Sequence, residues 1–306
     1  MPEDPPHQLS CGPAAVPAPP LGLCSVTFRR LPAAEVVRRA ADAGLAVIEW
    51  GADVHAPPGD PEALRAVREA TERHGMTCCS YGSYFHGLPD ELPGFAEVAR
   101  AAVTLGAPRV RVWAGEAGSA EVTEDERARA TEGLRAAALI ARDHGLEIAL
   151  EFHIRTLTDS VSSTLRLLEE LEEPRDPRAA SVDNVTTYWQ PPLNAPDDEA
   201  LAGLSALAER VSAVHVFSWW PDNRRLPLDA RDELWTRAFG LLAGRPRPRE
   251  ALLEFVPDDD PAVLGRETAT LRRTASAGPV RTGEGPDPVR TRAAAVTSGR
   301  SRSALE

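Results

Sequence analysis

Lysine is missing altogether: all 34 basic residues of this 306-residue chain are arginine. That excludes Schiff-base chemistry on a lysine amine and any phosphate loop that depends on a lysine. Cysteine is scarce, present as Cys11, Cys24, Cys78 and Cys79. Cys78 and Cys79 are adjacent and so point to opposite faces of a strand, which suits neither a CxxC redox pair nor a zinc knuckle. All four are expected to be reduced. No apolar run approaches the roughly 20 residues of a membrane-spanning helix. The opening stretch, MPEDPPHQLSCGPAAVPAPP, is acidic and broken by proline rather than basic and apolar, so no secretory signal is expected and the expected location is the cytoplasm. Positive charge is also in deficit, with a formal net charge of −12. A surface of that sign disfavours binding to polyanions, so neither a nucleic-acid nor a membrane partner is expected.

Against those absences stands a repeating pattern. Up to Pro20 the chain is rich in Pro, Ala and Gly without periodicity; beyond it, short apolar runs alternate with helical patterns. LGLCSVTF precedes PAAEVVRRAADAG, where Pro32 suits a first helical turn and Gly44 a C-cap. LAVIEW precedes DPEALRAVREATERHG, with Asp60 as N-cap and Gly75 as terminator. MTCCSYGSYF, PRVRVW, LEIALEFH, AASVD, SAVHVF and EALLEF each lead into a further helical segment, which makes eight strand–helix units. Strict alternation implies parallel strands joined by right-handed crossovers, and eight units in about 250 residues favour a closed α/β barrel, the (β/α)8 TIM barrel, over an open sheet. The expected organisation is a disordered leader over 1–20, a barrel over 21–275, and a disordered polar tail over 276–306.

The active site of such a barrel lies at the C-terminal ends of its strands. Period-two alternation in LEIALEFH sends Ile148, Leu150 and Phe152 toward the helices, and Ala149, Glu151 and His153 toward the barrel axis. The same phase turns Asp183 of AASVD, His215 of SAVHVF and Glu254 of EALLEF inward. Three carboxylates beside at most one imidazolium would repel one another unless a cation lay between them. One divalent metal is therefore expected. Mostly oxygen donors with one imidazole favour Mn2+ or Mg2+, and Zn2+, Co2+ and Ni2+ are compatible with the same set.

The succession EFH, D, VHVF and LEF on the last four strands resembles the xylose isomerase-like barrels, in particular the sugar phosphate isomerase/epimerase group of ketose 3-epimerases, hydroxypyruvate isomerases and inosose dehydratases. The resemblance covers roughly Leu21 to Ala275. It implies that Glu151, Asp183, His215 and Glu254 hold one divalent cation, and that Glu151 and Glu254 flank the substrate as acid and base. Members often carry a histidine three residues after the aspartate. Here that position is Thr186, which implies a single-metal site where Thr186 gives substrate at most a hydrogen bond.

Other candidates for substrate contact are His153, Glu49 at the end of LAVIE, His86 after YGSYF, Trp113 at the end of the fourth strand, and Arg224 in the loop SWWPDNRRLPL. His153 equally suits orienting a ligand, and Glu49 pairing with an arginine. Trp219 and Trp220 suit a pocket cap or an interface in a homo-oligomer. The expected function is a metal-dependent isomerase or epimerase of a small carbohydrate or polyhydroxy carbonyl substrate, with the proton moved through a metal-stabilised enediolate by the two glutamates. Loss of water, as in a dehydratase or lyase, is the alternative. An apurinic endonuclease-like hydrolase is disfavoured by the acidic balance and by the missing histidine, and a non-catalytic sugar-binding barrel would make the metal dispensable.

Overall fold

The computed structural model describes residues 18–173, 180–219, 221, 224–243 and 250–276. The expected leader and tail therefore fall, apart from 18–20 and Ser276, outside the described residues, as do Cys11 and Trp220. Eight parallel strands close into a barrel in the order β1-β10-β7-β6-β5-β4-β3-β2. They are β1 (Leu21–Cys24), β2 (Val47–Gly51), β3 (Thr77–Gly82), β4 (Arg109–Val112), β5 (Glu147–Leu150), β6 (Val185–Trp189), β7 (Val211–Val216) and β10 (Glu250–Leu253). A small antiparallel hairpin, β8 (Ser218–Trp219) with β9 (Arg225–Leu226), stands in the loop after β7.

Around the barrel run α1 (Ala33–Asp42), α2 (Pro61–Arg73), α3 (Leu92–Leu105), α4 (Glu124–Asp143), α5 (Val161–Glu172), α6 (Asp197–Leu207), α7 (Asp232–Leu242) and α8 (Leu264–Ser276). The stops and starts expected from the sequence occur. Asp60 accepts from the Glu62 and Ala63 amides at 3.1 and 3.0 Å, and Gly44 and Gly75 take positive φ just past their helices. Strand alternation separates two apolar populations. Ile148, Leu150 and Phe152 join the large core beneath the helices, while Cys24, Val47, Cys79, Ala149, Tyr188, Ala213 and Leu252 form a second cluster inside the barrel.

One strand departs from the sequence reading. The sixth strand is VTTYW, not AASVD, because its β-branched and aromatic residues fill the sheet while the small residues before it do not. The Asn184 amide donates to the Ala138 and Leu146 carbonyls at 2.9 and 3.0 Å, pinning the entry to β6 beside the start of β5. Asp183 is thus exposed at the N-terminal end of the barrel and faces no axis.

Across the barrel floor, Arg109 of β4 makes a two-pronged pair with Glu250 of β10, at 2.9 and 3.0 Å. Its guanidinium side chain is 10% exposed, so removing the partner leaves a charge that water barely reaches. Glu250→Ala is expected to lower stability by about 3 kcal/mol in urea denaturation, and Arg109→Met/Glu250→Leu to recover most of that loss.

Candidate active site

One turn of the alternation above Arg109, the next inward residue of β4 is Arg111, and it organises the upper lumen. Its Nε donates to Glu49 Oε1 at 2.9 Å, and its Nη1 makes a close ion pair with Glu151 Oε2. Trp113 Nε1 donates to the same Glu151 oxygen at 2.6 Å. Gly82 on β3 makes the room: a Cβ there would lie 2.6 Å from Arg111 Nη2 and 3.0 Å from Glu49 Oε1. Burial acts against both carboxylates, yet Arg111 and His215 hold Glu49 down to about 2 and Glu151 well below the usual carboxylate range.

His215 on β7 is completely buried and stands between two sets of groups. Its Nδ1 lies 3.1 Å from Gln190 Oε1, 3.4 Å from Glu254 Oε2 and 3.6 Å from Glu151 Oε1. Its Nε2 looks the other way, 3.7 Å from Glu49 Oε1, and Tyr188 packs edge-on against the ring at 5.1 Å. Burial pushes the Glu254 carboxyl up to about 7, with His215 opposing the rise and Glu151 adding to it. Burial likewise pushes the Cys24 thiol, at the end of β1, up to about 12.

Above these groups opens a cavity of about 200 Å³. Glu151, Glu254 and Arg111 are its buried polar lining, with Gln190 half-buried beside them; Trp113, His153, Phe217, Trp219 and Phe255 supply aromatic walls. His153 stacks on Trp113 with ring centroids 5.0 Å apart and planes 15° apart. Phe255 holds a φ of 55°, a left-handed turn directly after Glu254 that the Thr27 hydroxyl anchors by accepting the Phe255 amide at 3.1 Å. Arg225 caps that ring from outside at 4.4 Å. At the exposed rim, Arg29 donates to the Tyr84 hydroxyl at 2.7 Å and pairs with Asp53.

The structure thus brings Glu151, His215 and Glu254 together, with Trp113 and His153 beside them, and separates the other candidates from the cavity. Asp183 is at the opposite end of the barrel, for the reason given by β6. Thr186, buried within that strand and paired with Ala149, bonds Ser212 Oγ at 2.9 Å instead of facing substrate. Glu49 lies beneath the cavity, where its Oε1 accepts from Arg111. His86 bonds Glu91 at 2.9 Å, behind Trp113, and Arg224 is exposed and does not line the cavity. Arg111 and Gln190 were missed from the sequence. RVRV carried the signal for the first, since its alternation puts both arginines on the inward phase; the second follows from the correct bounds of β6, whose inward phase through Thr186 and Tyr188 ends on Gln190.

The family model for xylose isomerase-like TIM barrels matches residues 37–242. The chain belongs to the xylose isomerase-like TIM barrel family. The chain is 36% identical over 66 residues to the 3-dehydroshikimate dehydratase of Bacillus anthracis; the match spans 22% of this chain and 24% of that relative. Among solved structures, the barrel superposes on the probable 3-DHS dehydratase AsbF of Bacillus anthracis with a TM-score of 0.65 and 18% identity, covering 82% of this chain and 98% of that one. It superposes on the D-allulose 3-epimerase of Methylomonas with a TM-score of 0.63 and 13% identity, covering 85% and 99%. At these identities the two structures establish a shared fold. Enzymes of both the dehydratase and the epimerase kind therefore stand among this xylose isomerase-like barrel's neighbours. No helix among the described residues is long and apolar enough to cross a membrane.

Proposed function

We propose that this chain is a divalent-metal-dependent dehydratase that uses Glu254 to take a proton from the carbon beside the carbonyl of a small hydroxylated substrate and expels the β-hydroxyl as water. The observation that carries this reading is the inequality of the two glutamates. Glu151 commits Oε2 to Arg111 and Trp113, which fixes it as an anion. Glu254 faces His215 Nδ1 through Oε2 at 3.4 Å and borders the cavity. One carboxylate with an uncommitted oxygen suits a reaction in which a single group removes a proton and returns it to a leaving oxygen on the same face. The two-base epimerisation suggested by the sequence resemblance needs a second carboxylate able to exchange a proton. The local likeness to a dehydratase supports the same choice, and flat aromatic walls suit a ring-shaped substrate.

The donor set fits a cation. Ligand atoms of Glu151, His215 and Glu254 lie within 4.8 Å of one another, and Gln190 Oε1 stands 3.1 Å from His215 Nδ1. Glu151 Oε1, Gln190 Oε1, His215 Nδ1 and Glu254 Oε2 would hold it. When bound, a divalent cation there polarises a carbonyl oxygen and acidifies the neighbouring C–H. Glu254 Oε1 takes that proton. The C–H electron pair becomes the new C=C bond, the β C–O bond breaks with its electrons on oxygen, and Glu254 returns the proton to that oxygen as water leaves. Trp113 and Arg111 keep Glu151 aligned throughout.

The test is to assay bound metal and then to follow cyclic hydroxyketones, ketoses and an inosose by NMR in D2O. An unsaturated carbonyl product with loss of water supports the reading. Epimerised product carrying solvent deuterium, without water loss, would return the chain to the epimerase class, and turnover undiminished by chelation would remove the metal. The β6 register gives a sharper check on the ligands: Asp183→Asn leaves Mn2+ affinity unchanged within about twofold, whereas Gln190→Ala weakens it by roughly 10- to 100-fold in isothermal titration.

A further inference from the structure

We infer that Cys24, Glu49 and His215 form a second cation site, suited to a soft divalent ion such as zinc, on the Nε2 side of the His215 ring. Cys24 and Glu49 are register partners on the neighbouring strands β1 and β2, and His215 faces them from β7. One ligand atom from each lies within 4.8 Å of the other two. Two polar atoms here lack any hydrogen-bond partner although their residues are almost wholly buried: His215 Nε2, on a residue 0% exposed, and Glu49 Oε2, on one 2% exposed. Unpaired buried polar atoms are uncommon and costly, and a cation between them would satisfy both. Sulfur, imidazole and one carboxylate make a zinc donor set with a fourth position open, whereas Mg2+ and Mn2+ avoid sulfur. On binding, the Cys24 thiol gives up its proton to solvent and sulfur becomes the ligand.

The site has a regulatory consequence because the two cation sites share one ring. A neutral imidazole has one nitrogen with a free lone pair and one N–H. Zinc on Nε2 leaves the ring proton on Nδ1, and Nδ1 then cannot serve the Glu151–Gln190–Glu254 side. Zinc in the inner site therefore excludes the hard cation from the outer one and switches the enzyme off. This exclusion rests on the function proposed above; the inner site itself does not.

The experiment uses the full chain. Co2+ titration is expected to give a sulfur-to-cobalt charge-transfer band, and X-ray absorption of the zinc-loaded protein one sulfur at about 2.3 Å. In Cys24→Ser the band disappears and zinc affinity falls by at least about 100-fold, while Mn2+ binding, read by electron paramagnetic resonance, is retained. One equivalent of Zn2+ displaces Mn2+ from the unaltered chain. A zinc shell without sulfur, or a band that survives Cys24→Ser, overturns the inner site; Mn2+ that stays bound beside zinc overturns the exclusion. Should Cys24→Ser fail to fold, Cys24→Ala and the sulfur scattering of the unaltered chain decide. Mn2+ binding that is indifferent to Glu254→Gln would count against the outer site alone, so the two readings fail separately.

Discussion

Glu254→Gln is expected to lower kcat/KM by at least about 10³-fold, the upper part of the range for losing a positioned general base. The amide keeps the shape of the side chain but accepts no proton at neutral pH. Its neighbours do not replace it: Glu151 Oε2 is held by Arg111 and Trp113, and Glu49 lies beneath the cavity on the other side of His215. Because Glu254 also faces His215 Nδ1 at 3.4 Å, part of the loss comes through weaker cation binding, so the measurement is made at saturating metal. The comparison that discriminates is Glu151→Gln under the same conditions. A single proton carrier predicts that Glu151→Gln keeps exchange of the substrate C–H with D2O, at a rate reduced far less than in Glu254→Gln. Equal abolition of exchange by both substitutions would mean two proton carriers, and would sink the dehydratase reading in favour of epimerisation.

The barrel was legible because its signals are local. Alternating apolar runs and helices, Asp60 before Pro61, and glycines after helix ends all act within a few residues, and each appears where expected. The same logic placed Glu151, His215 and Glu254 at the mouth, since one inward residue after a buried strand is read from period two alone. It failed for the sixth strand. AASVD ends on an acid at a plausible distance from its neighbours, and the stretch after it, NVTTYWQPP, has no charge to draw attention. β-Branched and aromatic content was the better guide, and it moves the mouth from Asp183 to Gln190. The remaining gap is Arg111. That a guanidinium on β4 meets carboxylates from β2 and β5 depends on closure of the barrel, which no short window contains. Glu49 was accordingly ambiguous between sugar and arginine until the strands were in place.

Arg111→Met should be the most destabilising single change in the lumen, by about 3–5 kcal/mol in urea denaturation performed with a chelator present. Methionine fills much of the volume, so the loss is chiefly electrostatic. Glu49 and Glu151 are left as two acids, 2% and 5% exposed, with no guanidinium between them. The pH dependence identifies the cause. In the unaltered chain the folded-state pKa of Glu49 is depressed from 4.5 to about 2, so its contribution is complete above about 4.5 and is lost as the pH falls toward 2; Glu151 is depressed in the same direction. Without Arg111, burial dominates and raises both groups, so the folded variant is relieved as acid protonates them. The stability gap between the two proteins is therefore widest near neutrality and narrows on acidification. Arg111→Met/Glu49→Gln should recover part of the loss at pH 7, because it removes one of the two stranded charges. A gap below about 1 kcal/mol, or one that is flat from pH 7 to 4, would mean that Arg111 positions Glu151 without neutralising it, since buried carboxylates left unpaired cannot be that cheap.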